Sequence, residues 1–199
     1  MIKGKTAKQQ LVNIYSNMYP HHEPVVHAPL RTWREGGDDP LDSIWIYKNK
    51  NGYWHYITIG FSEPYEKESP DKEMSGFGFE LNLRLACTRM EEPPPLWPTK
   101  LLQTWGKYVF ETGRRFSCPD YMDNGEPIDF ADPDGAKSNY YGLVITHDDE
   151  LQECTTHNGR VTFYALVGII KQELTRVSGD LDGFISELRK RNPELLTEC

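Results

Sequence analysis

Along residues 77–87 the side chains alternate: Phe77, Phe79, Leu81, Leu83, Leu85 and Cys87 fall on one side, Gly78, Glu80, Asn82, Arg84 and Ala86 on the other. A period of two predicts one long strand with its first face in the core and its second in water. Two further runs, 42–49 and 53–61, are separated by Lys50, Asn51 and Gly52, and Asn-Gly supplies the positive φ that tight hairpins require. In the second run Tyr53, His55, Ile57, Ile59 and Phe61 share one face and Trp54, Tyr56 and Thr58 the other. Aromatics on both faces predict a strand enclosed on both sides, or one whose second face is a contact surface.

The period changes to that of a helix over 6–19, where Leu11, Ile14, Tyr15 and Met18 form a stripe between a Thr6 cap and a Pro20 stop. A second helix is predicted from about Thr99, with Leu101, Leu102, Trp105, Tyr108, Val109 and Thr112 on one side and Gly113 as its C-cap. Residues 140–147 and 160–170 read as strands, the latter running into a helix near 171–178. The last helix starts at Asp180 and buries Leu181, Phe184, Ile185 and Leu188. Between these lie loops at 34–40, 62–75, 91–98 and 114–139; the last carries five aspartates, and long loops of this kind are binding candidates. The order predicts an α+β (mixed α/β) fold, a mixed β-sheet flanked by helices, as a single domain over 1–199 with its core at about 35–175.

Composition narrows the functional classes. A net charge of −8 over 199 residues argues against nucleic acid, whose affinity comes from Lys and Arg neutralising phosphates, and favours a basic protein partner. Cys87, Cys118, Cys154 and Cys199 form no Cys-x-x-Cys pair, so no zinc ribbon or redox motif is expected, and reduced thiols in a cytoplasmic protein are the simplest reading. The N-terminal lysines are followed by no apolar signal region, and no segment has the length of a membrane span.

Candidate chemistry is sparse. His55 reads as a structural histidine. His21, His22 and His27, and His147 with Asp148 and Asp149, match no metal-ligand spacing. The run 129–135 fails as a calcium loop because Pro133 interrupts it and no terminal glutamate follows. There is no Gly-x-Ser-x-Gly elbow, Cys118 has no histidine near it in sequence, and Gly76 and Gly78 read as close packing within a strand. Glu80 reads as a lone carboxylate on a solvated strand face. No catalytic residue, metal or cofactor is assigned, and binding is expected over chemistry; an enzyme built from His55, Glu80, Asp120 and the histidines is the minor alternative.

Five stretches in order, "DPLDSIWIY" (39–47), "WHYITIGFSEPY" (54–65), "SGFGFELNLRL" (75–85), "WPTKLLQTWGKYVF" (97–110) and "GRVTFYALVGI" (159–169), resemble the N-terminal domain of the Suppressor of fused family. The resemblance implies a mixed sheet with packed helices and a binding activity: in animals the family sequesters a Gli-type transcription factor by gripping an extended peptide between this domain and a second one. A tyrosine in the helix and an aspartate after the following Phe contribute to that cleft. The matching positions here are Tyr108 and Asp120, with Tyr121 beside them where a histidine is usual, and these three are the expected partner-binding residues. Tyr108 also lies on its helix's apolar stripe, so a core-filling ring is its competing reading. The second lobe is missing here, which suggests a bacterial single-domain member acting as an immunity protein against a basic toxin; a peptide-binding regulator is the alternative. The sequence fixes no oligomeric state.

Overall fold

Asn51 and Gly52 close the hairpin that the pattern predicts. Gly52 sits at φ +90°, and the Asn49 side chain caps the turn by accepting from the Asn51 amide at 2.8 Å. The flanking strands, β2 (Ser43–Asn49) and β3 (Tyr53–Ile59), pair antiparallel from Ser43 opposite Ile59 to Asn49 opposite Tyr53. They are preceded by α1 (Ala7–Met18), capped by the Thr6 side chain, and β1 (Val25–His27). The coordinates are a computed structural model that describes residues 6–63, 73–87, 93–129 and 138–198, apart from the Arg34 side chain.

After the hairpin come β4 (Met74–Ala86), α2 (Trp97–Thr112), β5 (Asp120–Asp123), β6 (Tyr140–His147), β7 (Cys154–Thr156), β8 (Gly159–Ile170), α3 (Lys171–Gly179), α4 (Leu181–Arg191) and β9 (Leu196–Glu198). They form one mixed sheet in the order β1-β2-β3-β4-β8-β6-β5, with β7 on β8 and β9 on β4. The α+β expectation is met. β4 is central: antiparallel to β3, parallel to β8 along its first part and parallel to β9 at Arg84–Ala86. Gly76 lies in its irregular start at φ +55°, where a Cβ would come within 2.6 Å of the Phe61 and Glu63 carbonyl oxygens. α2 begins at Trp97, two residues before the predicted Thr99, because Pro98 is tolerated in a first helical turn.

Helices cover both faces. On one, Leu101, Leu102 and Val109 of α2 pack against Leu81, Leu83 and Leu85 of β4 and Trp54 and Tyr56 of β3. On the other, Leu11, Tyr15 and Tyr19 meet Tyr47, Ile57, Ile59 and Phe163, and beside them Val177, Phe184 and Leu188 cover Val144, Val167 and Ile169. The expectation that the second face of β4 meets water is therefore corrected. Glu80, Asn82 and Arg84 are 0%, 0% and 3% exposed, since α1 and the segment after β6 lie over them. They are tolerated there because each is hydrogen-bonded.

The loop reading of 114–139 is corrected in part. Asp120–Asp123 forms the terminal strand of the sheet, too short to show a period in sequence, while 130–137 and most of the acidic 62–75 loop lie outside the described residues. Cys87 is disulfide-bonded, correcting the expectation of reduced thiols throughout, and Cys118 and Cys154 are free. No helix among the described residues is long and apolar enough to cross a membrane.

Candidate functional site

Gly113 ends α2 in the left-handed conformation (φ +67°) and donates its amide to the Val109 carbonyl at 2.8 Å. The chain turns back under the helix, and Phe116 packs edge-on against Trp105 (centroids 5.6 Å apart) and Phe79 (5.5 Å). It then rises into β5, which pairs with β6 from Asp120 opposite Ile145 to Asp123 opposite Gly142. Between α2 and β5 this leaves a cleft of about 600 Å³. Its floor is Trp105, Phe116 and Met122, with Tyr108 and the Arg114–Arg115 pair on the helix side and Asp120 and Asp123 on the strand side.

The cleft brings together two of the three expected site residues. Tyr108 is 36% exposed, so it is no core ring; it stands edge-on to Trp105 at 5.9 Å, and its hydroxyl accepts from Arg114 Nη1 at 3.3 Å. Asp120 is half-buried, one carboxylate oxygen accepting from the Tyr121 amide at 2.8 Å. Tyr121 packs with the cluster under α3 and α4, on the reverse side of β5, and does not line the cleft. The sequence reading missed Trp105, Phe116, Met122 and the two arginines as site residues; the adjacent cations of "GRR" (113–115), directly after the helix, were the available signal. β5 closes the sheet path, so the row of backbone groups on its outer edge has no strand partner among the described residues.

The other candidate residues are parts of the fold. His55 is 0% exposed, and burial first, then the nearby Arg84 charge, push its imidazole down to about 3, so it is neutral. Asn82 donates its amide to the Tyr164 carbonyl at 3.1 Å, leaving its oxygen to accept from His55 Nε2–H at 3.1 Å, while the Tyr19 hydroxyl donates to Nδ1 at 2.7 Å. Both ring nitrogens are occupied, and the chain of bonds ties α1, β3, β4 and β8. Glu80 accepts from the Thr58 hydroxyl (2.6 Å), the Gly60 and Ser62 amides (3.0 and 2.9 Å) and the Ser62 hydroxyl (2.6 Å), pinning the exit from β3. Its burial raises the carboxyl to about 7 despite these bonds.

Arg84 holds Asp148 at 2.7 Å and Glu150 at 3.3 Å. Burial would raise the Asp148 carboxyl, but the guanidinium beside it and the Leu151 amide keep it below its usual range. Burial pushes the Cys118 thiol up to about 11, far from a reactive thiolate. No group of three or more His, Cys, Asp or Glu among the described residues is placed to hold a metal ion; His55 and Glu80 are buried with separate hydrogen-bond partners, and of the three Asp120 alone lines the cleft.

The sequence profile of the Suppressor of fused protein (SUFU) family matches residues 37–199. The Suppressor of fused homologues of Mus musculus and Homo sapiens are each 34% identical over 161 residues, covering 75% of this chain and 32% of theirs. The chain thus spans about a third of the length of these curated relatives. Among solved structures, the Sufu–Fu complex superposes with a TM-score of 0.85 at 29% identity, over 97% of this chain and 89% of that one. Drosophila Suppressor of Fused gives 0.80 at 29% identity, over 94% of this chain and 48% of that one. A Neisseria gonorrhoeae homologue shares the fold with a TM-score of 0.66 at 12% identity, over 94% and 91% of the two chains. From the first strand hairpin to the C-terminus, the chain belongs to the Suppressor of fused family.

Proposed function

We propose that this chain is a non-catalytic protein-interaction domain that captures an extended segment of a partner protein in the cleft between α2 and β5. The observation that carries the reading is an aromatic-floored cavity of about 600 Å³ bordered by a terminal strand whose outer edge has no strand partner among the described residues. An added strand would gain affinity from main-chain hydrogen bonds along β5 and specificity from side chains entering the cleft. The family supports it: one related structure is that of a Sufu–Fu complex. In this reading Tyr108 and Asp120 touch the partner, and Tyr121 serves from the reverse side by anchoring β5. The finer form is an immunity protein in the cytoplasm of a bacterium, its partner a basic toxin drawn in by the net charge of −8. Sequestering a transcription factor is the regulator's version of the same grip.

Tyr108→Ala and Asp120→Lys are expected to weaken capture of the partner at least about tenfold, as loss of an interface anchor does, with melting temperature unchanged, since both side chains face the cleft. The measurement is pull-down at low salt followed by titration of the recovered protein. Equal retention by wild type and both variants would remove the cleft from the mechanism. Co-expression with the product of a neighbouring toxin gene addresses the immunity form: protection from killing, lost in Asp120→Lys, is the expected result. Killing unaffected by the wild-type protein would leave the binding domain and discard the immunity role.

A further inference from the structure

We propose that Arg114 and Arg115 form an anion-reading end of the cleft, selecting partner segments that carry an acidic side chain. This rests on the cleft being a peptide site and adds the charge pattern the peptide must have. The chain has 30 acidic and 22 basic residues, so carboxylates are plentiful. Arg160, Arg176, Arg189 and Arg191 each take one in an ion pair, and Arg84 takes two. Among the described residues Arg114 and Arg115 enter none. Their contacts are neutral: Arg114 Nη1 donates to the Tyr108 hydroxyl at 3.3 Å, and Arg115 Nη1 reaches Met74 Sδ at 3.8 Å.

A guanidinium carries five donors, and these contacts use one on each, so two adjacent like charges stand at the rim with most of their hydrogen-bonding capacity unspent. Attraction to the C-terminal end of the α2 dipole accounts for a cation nearby, but it does not require Arg114 to fold back onto Tyr108. Across the gap, Asp120 and Asp123 each use one oxygen on a local amide, from Tyr121 at 2.8 Å and Gly125 at 2.9 Å, and neither pairs with the arginines. The two walls, opposite in sign, face the same cavity without neutralising each other. A segment lying between them completes both if it presents a carboxylate to the helix side, where bidentate geometry suits guanidinium, and a donor to the strand side.

The test is selection of a phage-displayed random dodecapeptide library on the intact protein, followed by titration of synthetic versions of the winners. Winners that need Tyr108 are expected to carry Asp or Glu, and to bind the double variant Arg114→Gln/Arg115→Gln about tenfold or more weakly, the scale of one charge-assisted contact. Replacing the peptide's acid by its amide should abolish the difference between wild type and variant. Arg114→Glu/Arg115→Glu should turn the preference to lysine. Both side chains are exposed, so unchanged melting temperatures are expected throughout. Winners that depend on Tyr108 but ignore the arginine changes would overturn the anion-reading end and leave the cleft standing. Failure to obtain any Tyr108-dependent winner would overturn the cleft reading, and this inference with it.

Discussion

Arg84→Leu is expected to destabilise the protein by about 3–5 kcal/mol, the cost of leaving one partner of a buried ion pair unmatched. The guanidinium is 3% exposed and holds Asp148, itself 6% exposed, along with Glu150 and the Glu194 carbonyl. Leucine would strand the Asp148 carboxylate with only the Glu150 and Leu151 amides, at 2.8 and 2.7 Å, to compensate it. The position joins elements distant in sequence, since Arg84 pairs with His55 of β3 on one side and Leu196 of β9 on the other. Urea denaturation measures the loss directly. The double variant Arg84→Leu/Asp148→Asn should recover part of it, because it removes both charges rather than one. A single-variant loss below about 1 kcal/mol, the scale of exposed pairs, would mean that the network is solvated after all.

The second large effect is a pair of opposed pH dependences inside the fold. Glu80 is raised by burial to about 7, from an ordinary value of 4.5. Between those values the folded state holds a proton that the unfolded state has released, so stability is full below pH 4.5 and falls as pH rises toward 7. His55 is lowered by burial from 6.5 to about 3, so between those values the unfolded state binds the extra proton and stability rises with pH. Over pH 4.5 to 6.5 the two slopes have opposite sign and similar size, about 1 kcal/mol per pH unit each. The wild type is therefore expected to be nearly flat in that window, the Asp148 titration lying below it.

Glu80→Gln keeps an acceptor for the Gly60 and Ser62 amides but removes the titration. It should unmask the histidine, with stability climbing by about 2 kcal/mol from pH 4.5 to 6.5. Above pH 7 the variant should equal or exceed the wild type, which has by then lost the Glu80 contribution. The measurement is urea denaturation at half-unit pH intervals. A wild-type profile that rises steeply across the window, with Glu80→Gln superimposed on it, would show that Glu80 is ionised throughout and that its four hydrogen bonds outweigh its burial.

What could be read without coordinates was local. The Asn51–Gly52 hairpin, the long β4 alternation, the α2 stripe with its Gly113 cap and the Asp180 start of α4 are each set by neighbours a few residues apart, and each is present. Placing His55 in the fold needed one more step, noticing that nothing nearby in sequence gave it catalytic company. The reading of β4 failed on its polar face for an instructive reason. Glu80, Asn82 and Arg84 look solvated because buried charges are rare, and the partners that admit them, Ser62, Asp148 and Tyr164, lie up to 82 residues away. Period shows which residues share a face; it does not show what covers it.

Propensity, period and turn chemistry act over short separations, so the long strands and helices, the mixed α+β layering and the family likeness were legible in the chain itself, while the short strands β5, β7 and β9 were not. The tertiary structure decided what those elements do together. The Arg84–Asp148 pair and the cleft that sets Tyr108 opposite Asp120 both depend on the sheet order β3-β4-β8-β6-β5. Tyr108 sat on an apolar stripe and could have filled the core. It is exposed because the chain after Gly113 turns back under α2 and supplies Phe116 to the space beside Trp105, leaving the tyrosine at the mouth of the cleft. Strand order and chain return are set by the summed burial of side chains far apart in sequence, a global balance that no local pattern records.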